Sequence, residues 1–226
     1  MKNRMAARVR VAFVAMLMTA AAISPAAAAS VQSESPLSTA GVRKSEVSLG
    51  DLVADAVRSA LEADIAFVSA SELKERDAQI PEGKVSTQDV VAFITYTDDP
   101  LVGMRLTGKQ IRQALERSVL IYPQKNLGFL QVSGLRFTFD PGKPQEGRVT
   151  SVRVGDGGAK PLAEDETYSV AMMRSLANGA LGYWKIWSKS DIATPTQKTI
   201  PQAIDQFFSG RSTINYSTLN RITVGG

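Results

Sequence analysis

The sequence predicts a single α+β domain with a mixed sheet or sheets and flanking helices, and three observations carry that prediction. The 226 residues allow one domain, or one domain plus a tail. Helical and strand-like segments are intermixed without regular βαβ alternation, which disfavours a doubly wound sheet. Residues 106–140 hold both periods in succession: a capped amphipathic helix, a Gly-containing loop, and a strand with alternating apolar side chains.

Each further element follows from a local pattern. T-x-x-Q capping boxes begin helices at Thr107 and Thr199. Apolar side chains on one helical face predict amphipathic helices, and short apolar or alternating runs between turn residues predict strands. The predicted helices cover residues 48–61, 87–93, 107–119 and a stretch from 199 onward. The predicted strands cover residues 64–68, 101–106, 135–139, 149–154 and 167–173, with a short one within 220–226.

Residues 1–29 have the three-part order of a secretory signal peptide. Four basic residues precede an apolar run over residues 11–23, and small residues then offer a cleavage site before Ser30. An uncleaved anchor is the alternative, but the apolar run falls short of the roughly 20 residues that span a bilayer. We therefore predict an exported protein, periplasmic or extracellular, that is free of the membrane after cleavage.

Removal of this peptide changes the charge balance. The chain has 26 Lys and Arg against 22 Asp and Glu, but four of the basic residues and none of the acidic ones precede Ser30. The remainder is neutral, so its charge gives no support for nucleic-acid binding. Residues 30–41 are small and polar with one proline, which predicts a flexible leader, and the domain then covers residues 42–226.

The absence of two residue types limits the chemistry. The sequence has no cysteine, so it has neither disulfides nor thiol chemistry. It also has no histidine, the commonest general base and a frequent transition-metal ligand. A Ser-His-Asp triad is therefore impossible. Two carboxylates, Glu46 and Asp55, receive structural roles: Glu46 bonds loop backbone ahead of the helix, and Asp55 makes a buried or boundary hydrogen bond within it.

Several motifs, taken in order, resemble the C-terminal domain of the 5'-nucleotidase family. They include A-D-I-A-F at 63–67, L-T-G at 106–108, G-F-L-Q-V-S-G at 128–134 and L-A-N-G-x-x-G-Y at 176–183. In that family this domain follows a metallophosphoesterase domain and supplies much of the nucleotide-binding pocket. The resemblance implies a stand-alone version of that domain with a role in nucleotide catabolism, taking a nucleotide or nucleoside ligand.

The resemblance also implies polar substrate-binding residues. Arg43 matches an arginine ahead of the first helix. The family loop N-G-G-G-I-R follows the A-D-I-A strand, and here Ser69 stands at its Asn position and Lys74 at its Arg position. Lysine supplies a point charge without the bidentate fork of arginine. The alternative for Arg43 and Lys74 is a structural or solvated charge.

Two aromatic residues clamp the base in the family. Tyr183 matches the second of them, with Leu181 in place of the acidic residue before it. Counting back from Leu106 without gaps puts Thr97 at the first position, with Tyr96 one residue away, so the register between these two stays open. The alternative for Tyr183 is that its ring packs in the core.

The hydrolytic centre of the family is two divalent metal ions held by Asp, Asn and His in a domain that this chain does not match. We therefore expect no metal cofactor and no catalytic residue in this chain, and no hydrolysis by it alone. Two other functions stay open. The chain is a structural or interaction module that has lost the pocket, or it is the substrate-binding half of a two-chain hydrolase with a separate metallophosphoesterase.

Overall fold

The structure is a computed structural model that describes residues 28–218 and 220–225. Apart from its last two residues, the signal peptide predicted over 1–29 lies outside the described residues. The strands are β1 (Ser30–Ser33), β2 (Ile65–Ser69), β3 (Gly83–Ser86), β4 (Pro100–Thr107), β5 (Leu130–Ser133), β6 (Leu135–Phe139), β7 (Val149–Val154), β8 (Lys160–Pro161), β9 (Thr167–Met173), β10 (Ile192–Thr199), β11 (Thr213–Ile214) and β12 (Ile222–Val224). The helices are α1 (Ser48–Ala60), α2 (Thr87–Val91), α3 (Gly108–Val119), α4 (Arg174–Ala177) and α5 (Ile200–Ser209).

The strands form three sheets, which confirms the α+β prediction of mixed sheets with flanking helices. A five-stranded sheet has the order β10-β4-β9-β2-β5, and β2 pairs parallel with β9 but antiparallel with β5. A three-stranded sheet has the order β11-β1-β3, and a four-stranded sheet the order β12-β6-β7-β8. Within the described residues, no helix is long and apolar enough to cross a membrane.

The core lies around β2, whose five residues are all buried. Helix α1 packs its apolar face on this strand and on β5, as the spacing of Leu49, Leu52, Val53 and Val57 predicts. The capping box at Thr107 is confirmed, because its side chain accepts from the backbone N–H of Gln110 and the Gln110 side chain accepts from the Thr107 backbone. At Thr199 the Gln202 side chain likewise accepts from the backbone N–H of the cap residue, at 2.9 Å. These caps fix where α3 and α5 begin.

The leader predicted over residues 30–41 is an ordered part of the fold instead. Strand β1 pairs antiparallel with β3 and parallel with β11, and Leu37 forms a bridge with Ile80. Every second side chain from Val31 to Leu37 is buried. The small, polar composition hides this period of two, because serine occupies half of the inward positions.

The structural roles predicted for Glu46 and Asp55 are confirmed. The Glu46 carboxylate accepts hydrogen bonds from the backbone N–H groups of Asn220, Arg221 and Ile222, at 2.9–3.0 Å. The two oxygens of Asp55 accept from the Arg221 guanidinium at 2.8 and 2.9 Å. The C-terminal segment is thereby held on helix α1 by charge-assisted bonds, which are stronger than neutral ones.

Asp51, one turn before Asp55, differs from it in protonation. Its side chain is buried, with one oxygen 3.4 Å from Arg221 Nε and the other without a partner among the described residues. Burial raises the pKa of Asp51 to about 9, against the lowering effect of Arg221. Burial also acts on Asp55, yet the hydrogen bonds from Arg221 hold the pKa of that carboxyl below its usual value. Asp51 is therefore mostly protonated at neutral pH, and Asp55 is ionised.

The raised pKa makes stability depend on pH. The unfolded chain releases the Asp51 proton near pH 4, whereas the folded chain keeps it until about pH 9. The free energy of unfolding should therefore fall as pH rises from 7 to 9, by up to about 1.4 kcal/mol per pH unit for this one proton. Asp51→Asn mimics the protonated acid and should remove that slope, as measured by urea unfolding at pH 7, 8 and 9. Asp156→Asn, at an exposed carboxylate, serves as the control, and an equal slope in Asp51→Asn and the native chain would contradict the assignment.

Candidate functional site

The loop after β2 is the place where four of the five predicted site residues gather. We call this loop, residues 69–74, together with the segments hydrogen-bonded to it, the 69–74 edge. Thr39 Oγ1 donates to the Lys74 carbonyl at 2.9 Å, and the Lys74 backbone N–H donates to the Phe93 carbonyl at 2.8 Å. The Ser71 N–H donates to the Leu127 carbonyl at 3.0 Å. The segments that meet at this end of the five-stranded sheet, which we call the central sheet, thus carry Arg43, Ser69, Lys74 and Tyr96.

Arg43 lies beside a carboxylate rather than beside an open anion site. Its Nε is 3.4 Å from Glu75 Oε2, and the same oxygen is 3.1 Å from Lys125 Nζ. Glu75 is largely buried and therefore serves two cations at once, while Lys125 is exposed. The group keeps one excess positive charge, but partly exposed pairs of this kind contribute little to stability.

The inner part of the loop holds a buried serine and a buried carboxyl group, Ser69 and Glu72. Ser69 is fully buried, and its Oγ is 2.7 Å from Ser71 Oγ and 3.3 Å from Glu72 Oε1. Glu72 Oε2 is buried without a hydrogen-bond partner among the described residues. Burial and, to a lesser extent, the charge of Asp99 raise the pKa of Glu72 to about 7. A buried carboxyl therefore stands where the resembling loop has glycine, which disfavours a phosphate at this depth.

Lys74 and Tyr96 lie on the outer side of the same edge. The Lys74 side chain is exposed and donates from Nζ to the Ala92 carbonyl at 3.2 Å. The Tyr96 side chain is exposed, with 52% of its surface accessible. Asp99, three residues later, accepts from the Ser175 N–H at 3.0 Å and so ties the Tyr96 loop to the start of α4. Of the two residues left open for the first aromatic position, Tyr96 and Thr97, Tyr96 is the one with a ring, and that ring is accessible to a ligand.

Tyr183 is placed in the core, contrary to the stacking role that the resemblance implies. It has no accessible surface, its hydroxyl donates to the Gly128 carbonyl at 2.7 Å, and its ring stacks on Trp187 with centroids 4.8 Å apart. The chain before it turns through positive φ at Leu181 and Gly182. That turn directs the ring inward, so it offers no face to a ligand in this structure.

The sequence favours core packing for Trp184 more than for Tyr183, but in the structure Trp184 is the exposed ring. Its side chain is 66% accessible, and Lys185 Nζ lies 5.5 Å from the ring centroid. Its backbone N–H donates to the carbonyl of Gly179, which has φ +92 and would place a Cβ 2.5 Å from Trp184 Cβ. Only glycine permits this approach. The signal was present in the consecutive rings of G-Y-W, but the local sequence does not say which of two adjacent rings faces outward.

The exposed rings of Tyr96 and Trp184 therefore belong to loops at the two ends of one short helix. Asp99 binds the N-terminal end of α4, and Gly179 follows its C-terminal end. Aromatic faces of this kind stack on planar groups and tolerate different bases. Chemically, the 69–74 edge offers the Tyr96 ring, an excess cation beside Glu75 and a half-protonated buried carboxyl, and the loop after α4 adds the Trp184 ring.

The metal chemistry that the resemblance attributes to a separate domain finds no ligand set among these residues. Within residues 28–218 and 220–225, no group of three or more Asp or Glu side chains is arranged to hold a metal ion. The sequence has no His or Cys to complete such a group. The residues present do not fit a two-metal centre, so no chemical step is assigned to one here.

Comparison with known proteins gives one family and several partial relatives. The family model described as 5'-nucleotidase, C-terminal domain matches residues 25–188. The trifunctional nucleotide phosphoesterase protein YfkN of Bacillus subtilis is 29% identical over 148 residues, 63% of this chain and 10% of that protein. Snake venom 5'-nucleotidase of Naja atra is 30% identical over 117 residues, 49% of this chain and 22% of that protein.

A solved structure supports the same relationship. The 5'-nucleotidase precursor from Thermus thermophilus superposes with a TM-score of 0.74 at 27% identity, over 86% of this chain and 39% of that chain. The three matches thus cover 49–86% of this chain but only 10–39% of each relative. The activities of the complete relatives do not transfer to this chain by similarity alone.

The buried position of Tyr183 predicts a stability effect. Tyr183→Phe removes the hydrogen bond to the Gly128 carbonyl and keeps the ring on Trp187. The free energy of unfolding should fall by about 1 kcal/mol, the typical net value of one buried hydrogen bond. Urea unfolding measures this, with Tyr96→Phe as the exposed control that should leave stability unchanged. Equal stability of Tyr183→Phe and the native chain would show that the hydroxyl is not bonded inside the fold.

Proposed function

Because the chain belongs to the family of 5'-nucleotidase C-terminal domains, we propose that it is an exported, non-catalytic module that binds a nucleoside. The observation that carries this proposal is the pair of exposed rings, Tyr96 and Trp184, at the two ends of α4. The resemblance assigns two stacking aromatics to these two loops. In this chain Trp184 takes the role in place of its buried neighbour Tyr183.

The charges of the 69–74 edge favour an uncharged nucleoside over a nucleotide. Glu72 and Asp99 lie near each other in the inner part, and Glu75 already neutralises one of its two cations. A phosphate at this depth would meet carboxylates where it needs hydrogen-bond donors. An uncharged nucleoside brings no anion close to these carboxyl groups, so it avoids that repulsion. Arg43 and Lys74 remain as outer contacts of the ligand in this proposal.

The lack of catalysis rests on residue types. A sequence without histidine has no imidazole to act as base or to complete the two-metal centre that the resemblance describes. The role consistent with these residues is recognition, in which binding changes no bond of the ligand.

A second candidate function is favoured by the apolar side chains that surround the same edge. Leu127, whose carbonyl accepts from Ser71, and Trp184 are 47% and 66% accessible. A partner protein can cover large apolar side chains that are exposed in this way. The edge would then be the surface by which the chain completes a separate metallophosphoesterase, and nucleoside binding would require that partner.

Binding of adenosine distinguishes the two candidates. Calorimetric titration of the purified chain with adenosine should give a binding signal, with AMP binding more weakly because of its phosphate. Tyr96→Ala and Trp184→Ala should each weaken adenosine binding by about 1–3 kcal/mol, the range for one stacked base. Trp184→Phe keeps a ring and serves as the matched control that retains most of the affinity. No heat with adenosine or AMP at millimolar concentration would refute the nucleoside proposal and leave the partner proposal.

Export is supported by the order of basic, apolar and small residues over positions 1–29. Strand β1 begins at Ser30, directly after the proposed cleavage site, and its side chains are needed in the three-stranded sheet. Mass spectrometry of the protein recovered outside the cytoplasm should therefore give an N-terminus at Ser30. Ala29→Arg, which replaces the small residue before the cut, should abolish this product. Recovery of the protein with Met1 retained would contradict the signal peptide.

A further inference from the structure

A large cleft lies at the end of the central sheet opposite to the 69–74 edge. It has a volume of about 830 Å³, within the usual range for small-molecule sites. Ala63, just before β2, lies in its wall, whereas the 69–74 loop follows the other end of that strand. A strand of five residues spans roughly 16 Å. The cleft is therefore separate from the ring pair at Tyr96 and Trp184.

Arginine dominates the charge of the cleft. Four arginines line it, one from each of four different segments, against two acidic residues, Asp55 and Glu62, and no lysine or histidine. Residues 30–226 as a whole, with the cleft included, have equal numbers of acidic and basic residues, so the excess is local. The four lining arginines are Arg58, Arg136, Arg211 and Arg221.

Three of these guanidinium groups have free hydrogen-bonding capacity. The Arg221 guanidinium is already paired with Asp55 and Asp51 on α1. Arg136 has neither an ion pair nor a side-chain hydrogen bond within residues 28–218 and 220–225. The Arg58 guanidinium has one polar side-chain partner among the described residues, Asp156, which is 89% exposed and therefore loosely held. These two groups can turn to an anion at small cost.

Arg211 is already oriented for a ligand. Its guanidinium carbon lies 3.6 Å from the centroid of the Phe207 ring, and Nη1 donates to the Phe207 carbonyl at 3.0 Å. Stacking and one hydrogen bond hold the Arg211 guanidinium against the Phe207 ring. Its other N–H donors have no hydrogen-bond partner among the described residues. A preoriented guanidinium loses less conformational entropy when it binds an oxyanion.

We propose that this cleft binds a compound that carries two or more linked phosphoryl groups. Each guanidinium presents planar N–H pairs that match phosphate oxygens, and arginine is the residue suited to such bidentate contacts. Three groups on α1, β6 and the end of α5 surround the space, so a single phosphate would satisfy only part of them, whereas a diphosphate can span more. The site is independent of the nucleoside proposed at the 69–74 edge.

Inorganic pyrophosphate tests the cleft without a base. Calorimetric titration of the purified chain should show pyrophosphate binding at least about tenfold more tightly than orthophosphate, and more weakly as NaCl increases. Arg136→Gln and Arg211→Gln should each reduce the pyrophosphate affinity by about tenfold or more. Thermal unfolding of each variant, expected to match the native chain for Arg136→Gln, ensures that a loss of binding is not a loss of fold. Lys109→Gln, an exposed charge change on α3 outside the cleft, should leave the affinity unchanged.

Three results would overturn the proposal. The first is no binding of pyrophosphate at millimolar concentration, and the second is an equal loss of affinity in Lys109→Gln and Arg136→Gln. The third comes from ADP, which distinguishes a free diphosphate from a nucleotide source. Loss of ADP binding in Trp184→Ala together with full retention in Arg136→Gln would assign the diphosphate to the 69–74 edge. Retention in Trp184→Ala with loss in Arg136→Gln supports the cleft, whether or not adenosine binds at the edge.

Discussion

The arrangement of the three sheets depends on the hydrogen bonds that the Asp55 carboxylate accepts. It accepts from Ser133 on β5 of the five-stranded sheet, from Tyr216 after β11 of the three-stranded sheet, and from Arg221 before β12 of the four-stranded sheet. One side chain on α1 thus bonds a segment of every sheet. Removal of Arg221 would leave Asp55 ionised and without its counter-charge, an arrangement that costs several kcal/mol in buried sites.

The ion pair between Asp55 and Arg221 also forms one wall of the cleft that four arginines line. Arg221 is held by Asp55 and Asp51, so its charge is compensated and its position is fixed. Arg136 and Arg211 have no ion-pair partner within the described residues, and the four arginines of the cleft outnumber its two acidic residues, which leaves it with a net positive charge. The charges that stabilise the fold and the charges proposed to bind a ligand therefore lie next to each other, but they belong to different side chains. The proposed phosphate site uses the arginines that the fold does not need.

The opposite end of the sheet has a different character. A buried carboxyl, Glu72, lies inside this end near Asp99, and its accessible groups include the rings of Tyr96 and Trp184 beside exposed Lys74. A nucleoside has a planar base and no charge, which suits that surface, whereas a diphosphate suits the cleft. The two ends of one sheet thus offer complementary chemistry within a chain that is neutral after Ala29.

Much of the fold followed from the sequence alone, because caps and periodicity act over a few residues. The capping boxes at Thr107 and Thr199, the stripe of α1, and the roles of Glu46 and Asp55 were all readable from local spacing. The tertiary structure decided what depended on distant partners. It brought β1 into a sheet through strands more than fifty residues away, and it paired Arg43 with Glu75. It also buried Tyr183 against Trp187 while exposing Trp184, since a turn with positive φ selects which of two adjacent rings meets the core. Arginines 58, 136 and 211 share no local pattern, so only the packing of α1, β6 and α5 could bring them to one cleft.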